Sequence, residues 1–227
     1  MPKRDFVLAN GQIYHVYNRS IGKENIFNNN RHNWRALDLL DYYRFSHRKR
    51  YSHFKALSNI EKKNYFSKIE KSAPLVEIYV FALMPNHFHF LLKQLRDKGI
   101  SKFLSNFQNS FAKYFNLKNS RTGSLFQNMF KAKIIENERD LLNVSRYIHL
   151  NPVDSFIIQA EELINYSWTS FSSYFGKNSL KFVSTDFILN MFRSKGDYKR
   201  FTFNEDDYKK EMKKIRRFLL EKPLGVA

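Results

Sequence analysis

The pattern of hydrophobic and polar positions in the first fifty residues predicts a strand followed by a helix. The segment QIYHVYNRS, residues 12–20, alternates between two sets of side chains, as expected of a β-strand. One face of this strand would carry Ile13, His15 and Tyr17. Between residues 31 and 45 apolar side chains then recur at helical spacing: Trp34, Leu37, Leu40 and Tyr43.

A second helix and a hairpin are predicted next. In the sequence SNIE, Ser58 and Glu61 have the spacing of a capping box, which marks the start of a helix. The run LVEIYVFALMPNHFHFLLK then indicates two strands, residues 76–83 and 87–92, joined by a tight turn at residues 84–86. Because the turn is so short, the two strands should pair as a hairpin.

Residues 101–152 predict a helix, a strand and another helix. Ser101 is predicted to cap a helix with the apolar stripe Phe103, Leu104, Phe107, Phe111 and Phe115. Gly123 marks a turn, and residues 130–135 alternate as a strand. Asn137 should cap a last helix that ends at Asn151 and Pro152.

The order strand, helix, strand, strand, helix, strand is that of a ferredoxin-like split βαβ fold, in the α+β class. Such a fold has an antiparallel sheet with helices on one face and the other face open to a substrate. We predict one domain in residues 1–176. Residues 177–227, which include the basic run KKEMKKIRR, would form a helical C-terminal extension packed on the same domain.

Composition supports a well-packed domain with an anionic partner. A chain of 227 residues buries roughly 70% of its unfolded surface, and its 23 Phe and 13 Tyr should supply much of that core. The 39 Lys and Arg exceed the 21 Asp and Glu, leaving a net charge of +18 that favours nucleic acid as the partner. A general bias towards Lys, Asn, Phe and Ile also accounts for part of this charge.

Other classes of protein are disfavoured by what the sequence lacks. The chain contains no cysteine, which excludes a disulfide framework and any thiolate metal site. It has no long apolar span and no lipidation signal, so we expect no membrane association. The first residues, MPKRDFVLAN, do not have the apolar run of a secretory signal, and we therefore expect a cytoplasmic protein.

Two groups of side chains could carry chemistry. His87 and His89 should point to the same side of their strand, roughly 7 Å apart, and could share a divalent ion. Tyr147 and Asn151 are four residues apart and should share a helix face. Each pair also has an ordinary structural interpretation: two strand histidines facing water, and a core-edge tyrosine followed by an asparagine that ends a helix.

Together these segments resemble the REP-associated tyrosine transposases, within the single-tyrosine HUH transposases of small insertion sequences. The resemblance covers most of the chain: IYHVYNRS, FALMPNHFHFLL with the HUH motif, YFNLKNSRTGSLFQNMFKAKII, RYIHLNPV and YSWTSFSSYFG. The sequence departs from the family pattern at Met129, where arginine is common in relatives, and this departure removes one expected DNA contact.

This resemblance implies a reaction and a role for each motif residue. Tyr147 would attack single-stranded or hairpin-forming DNA and form a 5′-phosphotyrosine, from which strand transfer follows. His87, His89 and Asn151 would bind a divalent metal, Mg²⁺ or Mn²⁺. Independently of the resemblance, His15 is a candidate to take the Tyr147 proton or to support the metal ligands, because its strand should lie beside the strand of His87 and His89. Tyr114 is the rival nucleophile, which we interpret as structural because no ligand-type residue follows four positions later.

Basic residues are expected to contact the DNA backbone: Arg19, Arg48, Lys49, Arg50, Lys131 and Lys133. Whether the protein acts as a monomer or as a homodimer stays open, since insertion-sequence relatives share active sites between two subunits. The alternative function is a non-catalytic hairpin-binding protein domesticated from a transposase. Such a protein would tend to lose Tyr147, His87 or His89, and all three are present.

Overall fold

The computed structural model describes residues 7–69, 71–176, 180–204 and 208. Within these residues four strands form one antiparallel sheet in the order β2-β3-β1-β4. The strands are β1 (Ile13–Arg19), β2 (Val76–Met84), β3 (His87–Gln94) and β4 (Lys131–Ile135). This is the strand order of a split βαβ fold, and the predicted fold class is confirmed.

The helices of the described residues alternate with these strands and add a C-terminal group. They are α1 (Asn30–Tyr43), α2 (Tyr51–Lys55), α3 (Asn59–Ile69), α4 (Gly99–Lys118), α5 (Glu138–Asp154), α6 (Phe171–Tyr174), α7 (Asp186–Leu189) and α8 (Lys195–Phe203). Two of these helices, α3 and α5, begin at the capping residues that the sequence predicts. Ser58 and Glu61 bond reciprocally before α3, and the Asn137 side chain accepts a hydrogen bond from the Asp140 amide at 2.8 Å before α5.

The start of α4 and the end of α5 differ from the prediction. Helix α4 begins two residues before Ser101, because Gly99 can approach the Leu75 carbonyl so closely that any side chain there would clash. Helix α5 continues through Pro152 to Asp154. Proline removes only its own N–H from the helix, and the next turn is still closed by the Ser155 amide bonding to the Asn151 carbonyl at 3.0 Å.

The two faces of the sheet are covered by different helices. Phe88 of β3 contacts Phe107 of α4, with ring centroids 5.5 Å apart, and α1 packs on α4 in the same layer. Its neighbour His89 points to the opposite face, towards Tyr147 of α5. The sequence predicts helices on one face only and an open second face; α5 instead covers part of that second face, leaving a site between helix and sheet.

The chain after α5 packs against this framework. The backbone around Thr169 bridges Ala82 at the outer edge of β2, and Tyr198 of α8 hydrogen-bonds to His149 of α5 at 2.8 Å. The basic run at residues 209–217 lies outside the described residues. No helix of the described part is both long enough and apolar enough to cross a membrane.

Candidate active site

Two imidazoles lie at the start of β3 on the face covered by α5. The ring centroids of His87 and His89 are 5.0 Å apart and the ring planes are nearly perpendicular, at 82°. His89 is buried, whereas His87 is half-buried at the edge of the sheet. The structure therefore places the HUH histidines side by side, with one of them open to a ligand.

Each of these imidazoles is held through its Nδ1 atom. His87 Nδ1 lies 2.7 Å from the Asn86 carboxamide oxygen, and His89 Nδ1 lies 2.9 Å from His15 Nε2. Because the Asn86 oxygen can only accept, His87 carries its proton on Nδ1 and keeps the Nε2 lone pair free. If His89 Nδ1 is the donor to His15, Nε2 of His89 is free in the same way. Metal-binding histidines are held by this arrangement.

Burial keeps the histidines of the site neutral. It lowers the pKa of His15 to about 3. It lowers the pKa of His87 to about 4, with a smaller contribution from the positive charge of Arg19. The pKa of His89 is also lowered well below its usual value, first by burial and then by the neighbouring histidines and Arg19. All three imidazoles can therefore act as lone-pair donors at neutral pH.

Tyr147 of α5 stands edge-on above these rings. Its ring centroid is 5.6 Å from that of His89 and 6.2 Å from that of His15, at interplanar angles of 83° and 89°. The ring is half-buried. Since α5 carries Tyr147 across the sheet, residues that are far apart in the sequence meet on one face.

Tyr17 is part of this cluster and was not among the predicted site residues. Its ring stacks on His15 and His89 with centroid distances of 5.2 and 5.6 Å. Burial raises the pKa of the Tyr17 phenol, and the nearby Tyr147 raises it further. The alternation of β1 already placed Tyr17 on the His15 face. The pairing of Tyr17 opposite His89 was missed because it depends on strand register.

Asn151 lies one helical turn beyond Tyr147 on the same face of α5. Its side chain is buried, and the Nδ2 atom has no hydrogen-bond partner among the residues that the structure describes. A half-turn of the carboxamide exchanges nitrogen and oxygen. This position can thus present either an oxygen to a cation or an N–H to a phosphate oxygen.

Three of the predicted DNA-binding residues flank the cluster. In the strand register Lys131 pairs with Tyr17, Lys133 with His15, and Arg19 with His87. Cross-strand partners point to the same face of a sheet, so these cations lie along the edge of the site. The Lys131 ammonium is 5.8 Å from the centre of the Tyr17 ring.

The other three predicted DNA-binding residues are elsewhere. Arg48, Lys49 and Arg50 are exposed in the connection between α1 and α2, in the helical layer behind the sheet. Tyr114 belongs to that layer as well, with the Arg35 guanidinium 4.6 Å from its ring centre. The structure therefore brings together Tyr147, His87, His89 and His15, but not Tyr114 or the basic triplet.

Comparisons with known proteins agree with the motifs. The family model described as "Transposase IS200 like" matches residues 43–151, a range that contains both HUH histidines, Tyr147 and Asn151. Among solved structures, a "REP associates tyrosine transposase bound to a REP hairpin" superposes with a TM-score of 0.52 at 15% sequence identity. The match covers 79% of this chain and 88% of that chain. No curated protein sequence matches. At this identity, the structural likeness shows a shared fold.

Proposed function

We propose that the protein binds hairpin-forming single-stranded DNA, cleaves it and transfers the cut strand, because residues 43–151 match the family model described as IS200-like transposase. The solved relative is bound to a REP hairpin, which supports a hairpin as the substrate here. The net charge of +18 supports a polyanionic ligand.

The observation that carries this proposal is the position of one phenol. Tyr147 is edge-on to His89 at 5.6 Å, on the face where His87 and His89 keep their Nε2 lone pairs free. A divalent cation held by the two Nε2 atoms would supply the positive charge that attracts a phosphate to the space beside the Tyr147 ring. A nucleophile held beside a bound and polarised phosphate is the arrangement that phosphoryl transfer requires.

In the proposed reaction the Tyr147 oxygen attacks a backbone phosphorus. An O–P bond to tyrosine forms, the bond between phosphorus and the 3′ oxygen breaks, the phenol loses its proton, and the departing oxygen gains one. The products are a 5′-phosphotyrosine and a free 3′-hydroxyl. Attack by the 3′-hydroxyl of another strand reverses these bond changes and joins DNA without consuming water or a high-energy cofactor.

The side chains present fit the divalent metal that the family resemblance implies. His87 and His89 offer neutral nitrogen donors with the second nitrogen already bonded, and Asn151 offers a buried carboxamide with an unpartnered atom among the described residues. When bound, Mg²⁺ or Mn²⁺ would polarise the scissile phosphate and neutralise charge that develops on it. These ligands carry no negative charge, so we expect weak metal binding until DNA supplies a phosphate.

His15 is better placed to orient His89 than to take the Tyr147 proton. If His89 donates its Nδ1 proton to His15 Nε2, the only accepting nitrogen of His15 is already used. The His15 Nδ1 atom then carries the remaining proton. We therefore assign His15 the task of holding the His89 ring and its tautomer.

The test is a covalent-capture assay. The protein is incubated with labelled hairpin oligonucleotides and Mn²⁺, and a denaturing gel detects the DNA–protein adduct. Wild type and Tyr114→Phe should form the adduct, whereas Tyr147→Phe and His89→Ala should not. A wild-type protein that binds these hairpins and forms no adduct would instead be the non-catalytic binder.

A further inference from the structure

The residue that follows the end of helix α5 combines high exposure with an unfavourable backbone conformation. The Phe156 side chain is 93% exposed, and its backbone lies in the left-handed region, at a φ of 55°. This region costs free energy for every residue that has a Cβ atom, and a bulky residue is seldom found there. Phe156 therefore adds strain to the fold and buries almost no apolar surface in return.

The left-handed backbone is required by the way in which α5 ends. The Ile157 amide donates a hydrogen bond to the Pro152 carbonyl at 2.9 Å, and the Phe156 amide donates one to the Val153 carbonyl at 3.0 Å. These two bonds form a Schellman motif, in which glycine usually occupies the left-handed position. Glycine would adopt this conformation without a steric cost. The helix end thus favours glycine where the chain has an exposed phenylalanine.

Phe156 follows directly on the face of α5 that carries the proposed nucleophile. Tyr147, Asn151 and Asp154 are separated by four and three residues, so their side chains form one row along the helix. At 1.5 Å per residue, Phe156 lies roughly 13 Å further along the helix axis than Tyr147. A DNA strand with a phosphate beside Tyr147 can reach the Phe156 ring within a few nucleotides.

The surroundings of Phe156 suit a nucleobase better than a phosphate. Asp154, two residues earlier, is a carboxylate that accepts a hydrogen bond from the Tyr208 phenol, and its charge would repel a phosphate. Ile157, the next residue, is apolar and 38% exposed. The cations of the site, Arg19 and Lys131, lie on the strands instead. Proteins that bind single strands combine such cations for the backbone with exposed aromatic rings for the bases.

We propose that the Phe156 ring stacks on an unpaired base of the strand that runs from Tyr147 along α5, and thereby holds that strand in place for cleavage. Stacking on a ring tolerates any base, so this contact adds affinity without selecting a sequence. The inference rests on the proposed function and assigns a path to the single strand next to the cut.

The first experiment compares two hairpin oligonucleotides, one with single-stranded flanks and one without them. Tyr147→Phe is the parent protein, so that no strand is cut, and fluorescence anisotropy measures binding. Adding Phe156→Gly should weaken binding of the flanked hairpin about tenfold and leave the hairpin without flanks unaffected. Phe156→Trp keeps a stacking surface and should bind as the parent does. Ile60→Ala, which shortens an exposed apolar side chain on α3, is the matched control and should also bind like the parent.

Two variants of the same residue separate the ring from the backbone. Phe156→Gly and Phe156→Ala both remove the ring, so both should weaken binding of the flanked hairpin equally. Glycine also removes the strain, whereas alanine keeps it, and the urea midpoint of unfolding should therefore be higher for the glycine variant than for the alanine variant or the parent. A loss of binding in the alanine variant alone would assign the effect to the backbone and overturn the inference.

A base removed from the DNA tests the same contact from the other side. An abasic nucleotide keeps the phosphate and lacks the stacking surface, and it is moved through the flanks one position at a time. The parent should lose affinity at one flank position, and Phe156→Gly should show no further loss there, because the two changes remove one interaction. Equal losses in parent and variant at every position would overturn the inference, as would a parent without any abasic effect.

The adduct assay with wild-type protein is independent of these measurements. A protein that cuts hairpins but binds flanked hairpins equally well with and without the Phe156 ring would lose only this inference. A protein that shows the abasic effect at Phe156 and forms no adduct would lose the proposed cleavage, and the stacking contact would stand.

Discussion

The two faces of strand β3 have different surroundings. On one face Phe88 and Phe90 stack with centroids 4.4 Å apart and meet Phe107 of α4, and all three rings are fully buried. On the other face His89 is also buried but is surrounded by polar rings and hydrogen-bonded to His15. Residues one position apart in the sequence therefore belong to an apolar core and to a desolvated polar cluster.

The difference teaches which face stabilises the fold. Burying large apolar rings favours folding, whereas burying polar atoms without partners opposes it. His15 Nδ1 and Asn151 Nδ2 are both buried without a hydrogen-bond partner among the described residues. Such a cluster opposes folding, which agrees with the proposed role of this face in the reaction. Substitutions on the two faces should consequently separate into effects on catalysis and effects on unfolding.

The largest effect is expected at the proposed nucleophile. Tyr147→Phe removes only the attacking oxygen, so adduct formation should fall by about 10³-fold or more while hairpin binding is kept. Adduct yield on a denaturing gel and binding by fluorescence anisotropy measure the two quantities. Tyr114→Phe, in the layer behind the sheet, is the matched control and should keep wild-type yield. Equal activity of the Tyr147 and Tyr114 variants would reject the assignment.

The opposite face should respond through stability. Phe107→Ala removes a ring that packs on both Phe88 and Phe90, which should lower the free energy of unfolding by about 3–5 kcal/mol. Urea unfolding followed by circular dichroism measures this change. The fraction that stays folded should still form the adduct. If Phe107→Ala abolished cutting without loss of stability, the assignment of stability to this face and of catalysis to the other would be wrong.

His15 should affect the reaction through His89. His15→Phe keeps a ring between Tyr17 and Tyr147 but removes the acceptor for His89 Nδ1, so cleavage should fall about 10–100-fold. The required Mn²⁺ concentration should rise in parallel, which separates a role in orienting the ligand from a role in proton transfer. Stability should change little or increase, because a buried nitrogen without a partner is removed. Unchanged Mn²⁺ dependence would argue against the orienting role.

Acid should destabilise the protein through its buried histidines. His149 bonds to Tyr198 and Ser170, at 2.8 Å each, and burial lowers its pKa to about 3. In the unfolded chain the pKa returns to about 6.5, so between these values the unfolded state binds more protons and stability falls as pH falls. One such histidine contributes up to about 1.4 kcal/mol per pH unit. Above pH 7 both states are neutral, and the contribution vanishes.

This pH dependence can be assigned with a variant. His149→Gln lacks the titrating ring, so its unfolding free energy, measured in urea between pH 7 and pH 4, should have a shallower slope than that of wild type. The absolute stability of the variant is not the readout, because glutamine changes the packing as well. Identical slopes would show that His149 does not titrate in this window.

The smallest effect is expected from single surface charges. Lys131→Ala, beside Tyr17, should lower the slope of log affinity against log salt concentration by about one, the value for one lost phosphate contact. Lys49→Ala, in the layer behind the sheet, should leave that slope closer to wild type if the cut strand runs along the Tyr147 face. Salt titrations of hairpin binding compare the two. A larger change for Lys49 would place the DNA path on the other side.

Much of the fold could be predicted because its signals are local. The alternation of β1, the Ser58 capping box and the Asn137 cap each depend on residues within one or two turns, and each appears in the structure. The start of α4 could not be predicted, since it depends on the contact of Gly99 with Leu75, which are distant in the sequence. Spacing also placed His87 and His89 on one face, but it contained no information on Tyr17 as their neighbour.

The sequence by itself determined the order of the elements, the two-faced character of β3 and the motif residues, because strand alternation and helical periodicity follow from backbone geometry. Only the tertiary structure decided that α5 lies on the histidine face and that β1 aligns Tyr17 with His89. These arrangements depend on strand register and on the summed burial of many side chains from distant segments. No short stretch of the sequence contains the information on which distant segments pair or pack together.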